Sequence, residues 1–189
     1  MSRIRITGGD WRSRLVKVGE APGLRPTPDR VRVTLFNWLG QDLAGLDCLD
    51  LFAGSGILGF EAASRGARSV TLIEMDQRVF ATLRQNAAAF GTDRLELVHA
   101  DALKFAAAAA GRDRRYDVVF LDPPYRHEWL ERVAPYLASL AKPGMRVYAE
   151  AEQELDALGD WRTVKRGRAG QVFYHLLENS SETEAGNAE

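Results

Sequence analysis

The sequence predicts an α/β domain built on an open, doubly wound, mostly parallel sheet of seven strands with helices on both faces. Three observations predict it. Short apolar runs near 46–52, 69–74, 95–99, 117–122 and 145–150 alternate with stretches of helical spacing, which is a βα repeat. These runs are mostly continuous, as in Tyr116–Leu121, and a parallel sheet covered on both faces requires that pattern. Finally, 162–168 and 171–177 flank Gly170 and read as an antiparallel hairpin closing one edge. At 189 residues the chain is one main domain long and can bury a core without disulfides or a structural metal.

The elements follow in order. Residues 1–27 form a basic N-terminal arm, a short β-hairpin in which apolar residues alternate around Gly8 and Gly9. Pro22, Gly23, Pro26 and Pro28 mark a loop, with Thr27 a cap candidate for the helix that starts at Asp29. Val31, Leu35, Phe36, Leu39 and Leu43 give that helix an apolar face. The main domain spans 28–178. The run Ala106–Ala110 belongs to a helix because alanine is the best helix former. Residues 179–189 are expected to be an acidic, disordered tail.

Composition narrows the function classes. The net charge of −1 conceals an uneven distribution: residues 1–38 hold eight basic groups against three acids, +5, whereas 178–189 hold four glutamates and no base, −4. Arg162, Lys165, Arg166 and Arg168 form a second basic cluster. Such patches suit a phosphate backbone and equally suit a solvated surface, so charge leaves both open. The lone Cys48 excludes an intrachain disulfide and implies a reducing compartment. No stretch approaches the roughly 20 apolar residues of a membrane span, so a cytoplasmic protein without a membrane partner is expected.

The first strand of the repeat ends in Asp50, Leu51, Phe52, Ala53, Gly54, Ser55 and Gly56. Gly54, Gly56 and Gly59 satisfy G-x-G-x-x-G, and Glu74 ends the next strand at the distance that suits ribose hydroxyls. A dinucleotide-dependent oxidoreductase is therefore a competing reading. Asp50 separates the two, because a carboxylate there repels a pyrophosphate and attracts the cationic amino group of S-adenosylmethionine (SAM). Met75 and Ala102 flank the acids that end the second and third strands, and Asp101 can accept a hydrogen bond from an adenine amino group. Three acids on three consecutive strand ends define one crevice. The cofactor-binding residues expected are Asp50, Phe52, Ala53, Gly54, Gly56, Glu74, Met75, Asp101 and Ala102.

The fourth strand ends in Asp122, Pro123, Pro124 and Tyr125, where two prolines stop strand pairing and fix an extended turn. An exocyclic base amine is a weak nucleophile whose nitrogen gains positive charge during methyl transfer. Asp122 and the Pro123 carbonyl can accept hydrogen bonds from it, and Tyr125 can stack on the base. Most of the rate is expected from proximity and orientation. His99, His127 and His175 lack zinc-type spacing and are read as strand-end or surface residues, so no metal is expected.

Asp-Pro-Pro-Tyr resembles the amino-methyltransferases of adenine N6, cytosine N4 and guanine N2. The N-terminal part is more specific: 3–9 with Trp11 and Arg12, then 23–32, then 34–39. With 48–59, 72–76, the Asp122 motif and 169–172, these stretches make the chain resemble the bacterial 16S rRNA (guanine(966)-N(2))-methyltransferase family. Two positions depart from the family pattern, Val33 in place of an acid and Ser13 in place of a glycine. The resemblance implies a Rossmann-like class I SAM-dependent methyltransferase. It implies a guanine N2 in 16S rRNA as acceptor, on the small ribosomal subunit or its assembly intermediate, and a monomer. The arm arginines Arg3, Arg5, Arg12, Arg14, Arg25, Arg30 and Arg32 are the expected RNA contacts. The alternatives are methylation of another RNA or DNA base and a non-catalytic RNA-binding assembly factor.

Overall fold

The computed structural model describes residues 2–22, 25–126 and 128–181. Gly23 and Leu24, His127, and residues 182–189 of the acidic tail lie outside them. The arm is a hairpin of β1 (Arg3–Arg5) and β2 (Leu15–Lys17), paired antiparallel. It is followed by α1 (Asp29–Leu39), and then strands and helices alternate. They are β3 (Asp47–Asp50), α2 (Ile57–Ser64), β4 (Ser69–Glu74), α3 (Gln77–Phe90), β5 (Leu95–His99), α4 (Ala102–Gly111), β6 (Tyr116–Leu121) and α5 (Trp129–Leu140). The chain closes with β7 (Ala141–Ala151), β8 (Ala157–Leu158), β9 (Trp161–Ala169) and β10 (Val172–Asn179).

The main sheet has the order β5-β4-β3-β6-β7-β10-β9-β8. β5 through β7 run parallel, and β10, β9 and β8 add antiparallel pairs. Among the described residues the sheet therefore has eight strands, not seven. The extra one is the two-residue β8, too short for any periodicity to reveal it. β10 also runs one residue past the expected domain boundary at 178, pairing Asn179 with Trp161.

Burial explains the continuous apolar runs. Along β6, Val118 and Phe120 enter one core while Val119 and Leu121 enter the other, because successive side chains point to opposite faces of a strand. The first core lies under α1, α2, α3 and the arm, and the second under α4 and α5. In α1, Val31, Leu35, Phe36 and Leu39 are buried, each contributing on the order of 1.5–3 kcal/mol. That face fixes the helix although no side chain caps its start: the N-cap is Pro28, and the Thr27 hydroxyl, expected to cap, points elsewhere.

The arm packs into the first core. Ile6, Trp11 and Val16 are buried, and Trp11 stacks on Phe90 of α3 with centroids 4.2 Å apart. Polar contacts fix its position: Glu61 of α2 accepts from the Thr7 N–H at 2.8 Å, and Asn86 of α3 accepts from the Lys17 N–H at 3.0 Å. Glu61 also pairs with Arg32 at 3.0 Å and with Arg65, all three buried. Arg32 completes its shell with the carbonyls of Thr27 and Arg5 and with Asp29. This corrects its expected place among the RNA contacts. A fully buried guanidinium with that shell ties the arm to α1 and α2 and presents no charge to a phosphate. Ser13 adopts φ 70°, the backbone conformation in which a glycine is free of strain.

Candidate functional site

The strand order reverses at β3, and the crevice beyond the carboxyl ends of β3, β4 and β6 is where ligands of such sheets bind. A cleft of about 270 Å³ opens there. Every residue expected to bind cofactor or carry chemistry lines it except Gly56, which stands one residue beyond Ser55 on its wall. The backbone explains the two glycines that shape this turn. Gly56 has φ 86°, and a Cβ on it would fall 2.5 Å from both Leu83 and Phe60, so a side chain is excluded by conformation and by space. A Cβ on Gly59 would meet Leu72 of β4 at 2.7 Å, so that glycine allows α2 to pack closely on the sheet.

Asp50 ends β3 almost completely buried, and among the described residues its Oδ1 has no hydrogen-bond partner. Burial pushes its carboxyl up to about 7, opposed by the N–H groups of Phe52 and Gly59 and assisted by the charges of Glu74 and Glu150. Leaving such an oxygen without a partner is costly, and a ligand ammonium in the cleft answers it. Glu74, at the end of β4, is held by two N–H groups, Gly54 to Oε2 at 3.0 Å and Asp76 to Oε1 at 2.7 Å. Both oxygens keep a lone pair for diol hydroxyls. Exposed Met75 follows it, with its side chain on the cleft wall. Asp101 caps α4 by accepting from the Lys104 N–H at 3.0 Å through Oδ1, and Ala102 is buried beside it. The donor set of this cleft, an unpaired buried carboxylate, a braced diol acceptor and a strand-end acid, fits the amino acid, ribose and base of SAM.

At the end of β6, the strand beside β3, Asp122, Pro123 and Pro124 also line the cleft, and Tyr125 stands 40% exposed at the rim. Burial raises the Asp122 carboxyl well above the usual range, and the neighbouring charges of Glu150 and Asp50 raise it further. The Tyr125 phenol is raised by burial and then by Asp122.

Sequence reasoning missed three residues here. Trp129 lines the cleft and meets Phe52 edge-on, with centroids 5.6 Å apart. Thr27 sends its hydroxyl to Glu150 Oε1 at 2.8 Å and towards Asp122 Oδ2 at 3.3 Å. Glu150 is buried on β7, alongside β6. Its signal was present: an acid inside the apolar run 145–151 has to be paired where it is buried. His175 also differs from expectation. It is fully buried, accepting from the Leu155 N–H through Nε2 at 3.0 Å, and burial lowers its proton affinity. His99 is a strand-end residue, with Nε2 2.9 Å from the Met75 carbonyl and its ring stacked on Phe80.

Of the arm arginines, Arg3, Arg5, Arg12, Arg14, Arg25 and Arg30 are exposed, and Arg25 lines the cleft. Arg5 pairs with Asp29 at 3.0 Å. Arg14 donates to the Ala89 carbonyl at 2.5 Å and lies over the Phe90 ring at 4.4 Å.

Comparison with known proteins follows the same lines. Residues 4–178 match the family described as Conserved hypothetical protein 95. Ribosomal RNA small subunit methyltransferase D of Escherichia coli is 41% identical, over 97% of this chain and 93% of its own length. The Haemophilus influenzae protein of the same name is 38% identical, over 93% of this chain and 94% of its own length. Among solved structures, yhhF of Escherichia coli superposes with a TM-score of 0.82 at 41% identity, covering 94% of this chain and 98% of that one. Protein TTHA0928 of Thermus thermophilus superposes with a TM-score of 0.78 at 29% identity, over 93% and 99% of the two chains. Identity of this order along more than nine-tenths of the chain, on the same sheet and around the same cleft, places it by descent: it belongs to the family of the ribosomal RNA small subunit methyltransferase D proteins.

Proposed function

We propose that the chain is a SAM-dependent methyltransferase that modifies the exocyclic N2 of a guanine in 16S rRNA, the nucleotide implied being guanine 966. The observation that carries this reading is the unpaired, buried Oδ1 of Asp50 in a cleft that Asp122, Pro123, Pro124 and Tyr125 also line, from the adjacent strand β6. When bound, SAM supplies an electrophilic methyl group on a sulfonium centre. Asp50 holds the ligand's ammonium, Glu74 its ribose diol and Asp101 its base amine, with Met75 and Phe52 against the apolar surface.

The substrate side is built from β6. Pro123 and Pro124 cannot rejoin a strand, so the turn holds its carbonyls in fixed directions. Asp122 and the Pro123 carbonyl accept the two amine hydrogens and so orient the nitrogen lone pair, while Tyr125 stacks on the base. Acceptors aimed at a nitrogen that becomes positive favour the transition state over the ground state. A base reaches such a cleft when splayed out of an RNA loop. The exposed arginines 3, 12, 25 and 30 then meet flanking phosphates, with Arg5 and Arg14 contributing through groups already tethered. The natural substrate in this reading is the small subunit or its assembly intermediate, met by a monomer. A dinucleotide reading is disfavoured by the same Asp50, whose charge opposes a pyrophosphate at the glycine turn.

Incubation with radiolabelled SAM and, separately, small ribosomal subunits, naked 16S rRNA and duplex DNA tests the reading. Label is expected in the rRNA of the subunits and is expected to be lost in Asp122→Ala. Equal labelling of DNA overturns the rRNA assignment, and undiminished turnover in Asp122→Ala overturns the role of Asp122.

A further inference from the structure

Asp122 does not stand alone. Glu150 lies beside it on the neighbouring strand β7, and the Thr27 hydroxyl bridges the two carboxyls, 2.8 Å from Glu150 Oε1 and 3.3 Å from Asp122 Oδ2. Two ionised carboxylates at neighbouring positions repel, so the pair holds at least one proton. The hydroxyl donors around the pair are unevenly placed. Thr27 Oγ1 and the Tyr148 hydroxyl both lie 2.8 Å from Glu150 Oε1, whereas Asp122 Oδ2 receives only the longer, 3.3 Å approach from Thr27. Donors favour the ionised form of the group at which they point. The remaining groups facing the pair are Asp50 from β3, also an acid, and Tyr125 beyond Asp122.

We infer that Glu150 is a positioning residue for Asp122: the pair shares one proton, Glu150 is its ionised member, and Asp122 is the neutral one that presents an oriented oxygen to the substrate amine. This rests on reading Asp122 as the amine's acceptor. Burial raises both carboxyls, and the Glu150 charge raises Asp122 further, in the same direction as the geometry. The consequence is a two-step path for the proton that methylation frees. As the nitrogen–carbon bond forms and the methyl–sulfur bond breaks, its electron pair remaining on sulfur, the surplus proton on nitrogen passes to the free oxygen of Asp122. The proton already on Asp122 passes to Glu150. Thr27 and Tyr148 hold the receiving carboxylate in place.

Infrared titration of the ligand-free protein tests the assignment without turnover. The acid C=O band that Asp122→Asn removes should persist in the wild type to a pH at least about one unit higher than in Glu150→Gln, because the charge that retains the proton is gone. The Asp50 band, which loss of the Glu150 charge also moves, is identified separately by Asp50→Asn. In turnover, Glu150→Gln should lower kcat for small-subunit methylation about 10- to 100-fold with SAM affinity unchanged, and its lower pH limb should move from that of the wild type. Thr27→Val should show a smaller loss that Thr27→Ser restores, which keeps the test open if Glu150→Gln does not fold. An acid band that Glu150→Gln removes and Asp122→Asn leaves, or identical titrations and pH profiles in wild type and Glu150→Gln, overturns the inference. If Asp122→Ala retains turnover, the underlying reading of Asp122 falls instead.

Discussion

Replacing Asp50 by asparagine should move stability and cofactor binding in opposite directions. The wild-type carboxyl rises from 3.8 to about 7 on folding. With each tenfold step in proton affinity being roughly 1.4 kcal/mol, ionised Asp50 costs the ligand-free fold about 4 kcal/mol. The sign follows from proton uptake. Between the unfolded value and about pH 7 the folded state binds the extra proton, so wild-type stability falls as pH rises through that window and levels off above it. Asparagine keeps the shape and never ionises. Asp50→Asn should therefore match the wild type near pH 4 and gain progressively up to pH 7. Above it, the melting temperature should be higher by on the order of 8–16 °C. SAM binding should weaken about 10- to 100-fold, the worth of one charge-assisted hydrogen bond. Thermal melts from pH 4 to 8.5, with calorimetric titration of SAM, check both limbs. A wild-type protein whose melting temperature does not diverge from that of Asp50→Asn with rising pH would refute the buried, unpaired carboxylate, and unchanged SAM affinity would refute its role as ammonium acceptor.

The same group predicts proton release: at pH 7 SAM binding should expel about half a proton, rising towards one at pH 6, read from calorimetry in buffers of different ionisation enthalpy. Heats independent of buffer would contradict it. Glu61→Gln should destabilise the protein by about 3–5 kcal/mol in urea melts, because Arg32 and Arg65 stay buried without their counter-charge; a loss under 1 kcal/mol would show that the arm is held by other contacts. Arg12→Ala should lower the salt dependence of rRNA binding by about one phosphate contact with no change in melting temperature. Arg14→Ala should also lower stability, since its guanidinium lies over Phe90. An unaltered salt slope in both removes the arm from the interface.

What could be read in advance differs by element for physical reasons. The parallel strands were legible because burial on both faces forces continuous apolar runs, and Tyr116–Leu121 shows this directly. β8 was not, since two residues carry no period. The cleft-lining acids were legible through position: Asp50 and Glu74 end β3 and β4, Asp101 follows β5, and strand ends converge on one crevice. Glu150 closes the apolar run 145–150 but carries no motif around it, and Thr27 precedes a helix, so local rules gave Thr27 a capping role that the carboxyl pair overrides. Arg32 was misplaced by charge counting, which weighs every arginine of the arm alike. Only the fold distinguishes Arg12 in solvent from Arg32 enclosed by Glu61, Asp29 and two carbonyls. His175 likewise sits at an ordinary strand position until the sheet edge closes over it.

Nucleoside mass spectrometry of 16S rRNA from small subunits that lack this modification, after incubation with SAM and the purified protein, tests most directly whether the cleft that holds Asp50 and Asp122 moves a methyl group onto a guanine amine. One N2-methylguanosine per subunit is expected with the wild type and none with Asp122→Ala. Methylation on adenine or cytosine, or no methylated nucleoside with an active, SAM-binding wild type, would contradict it.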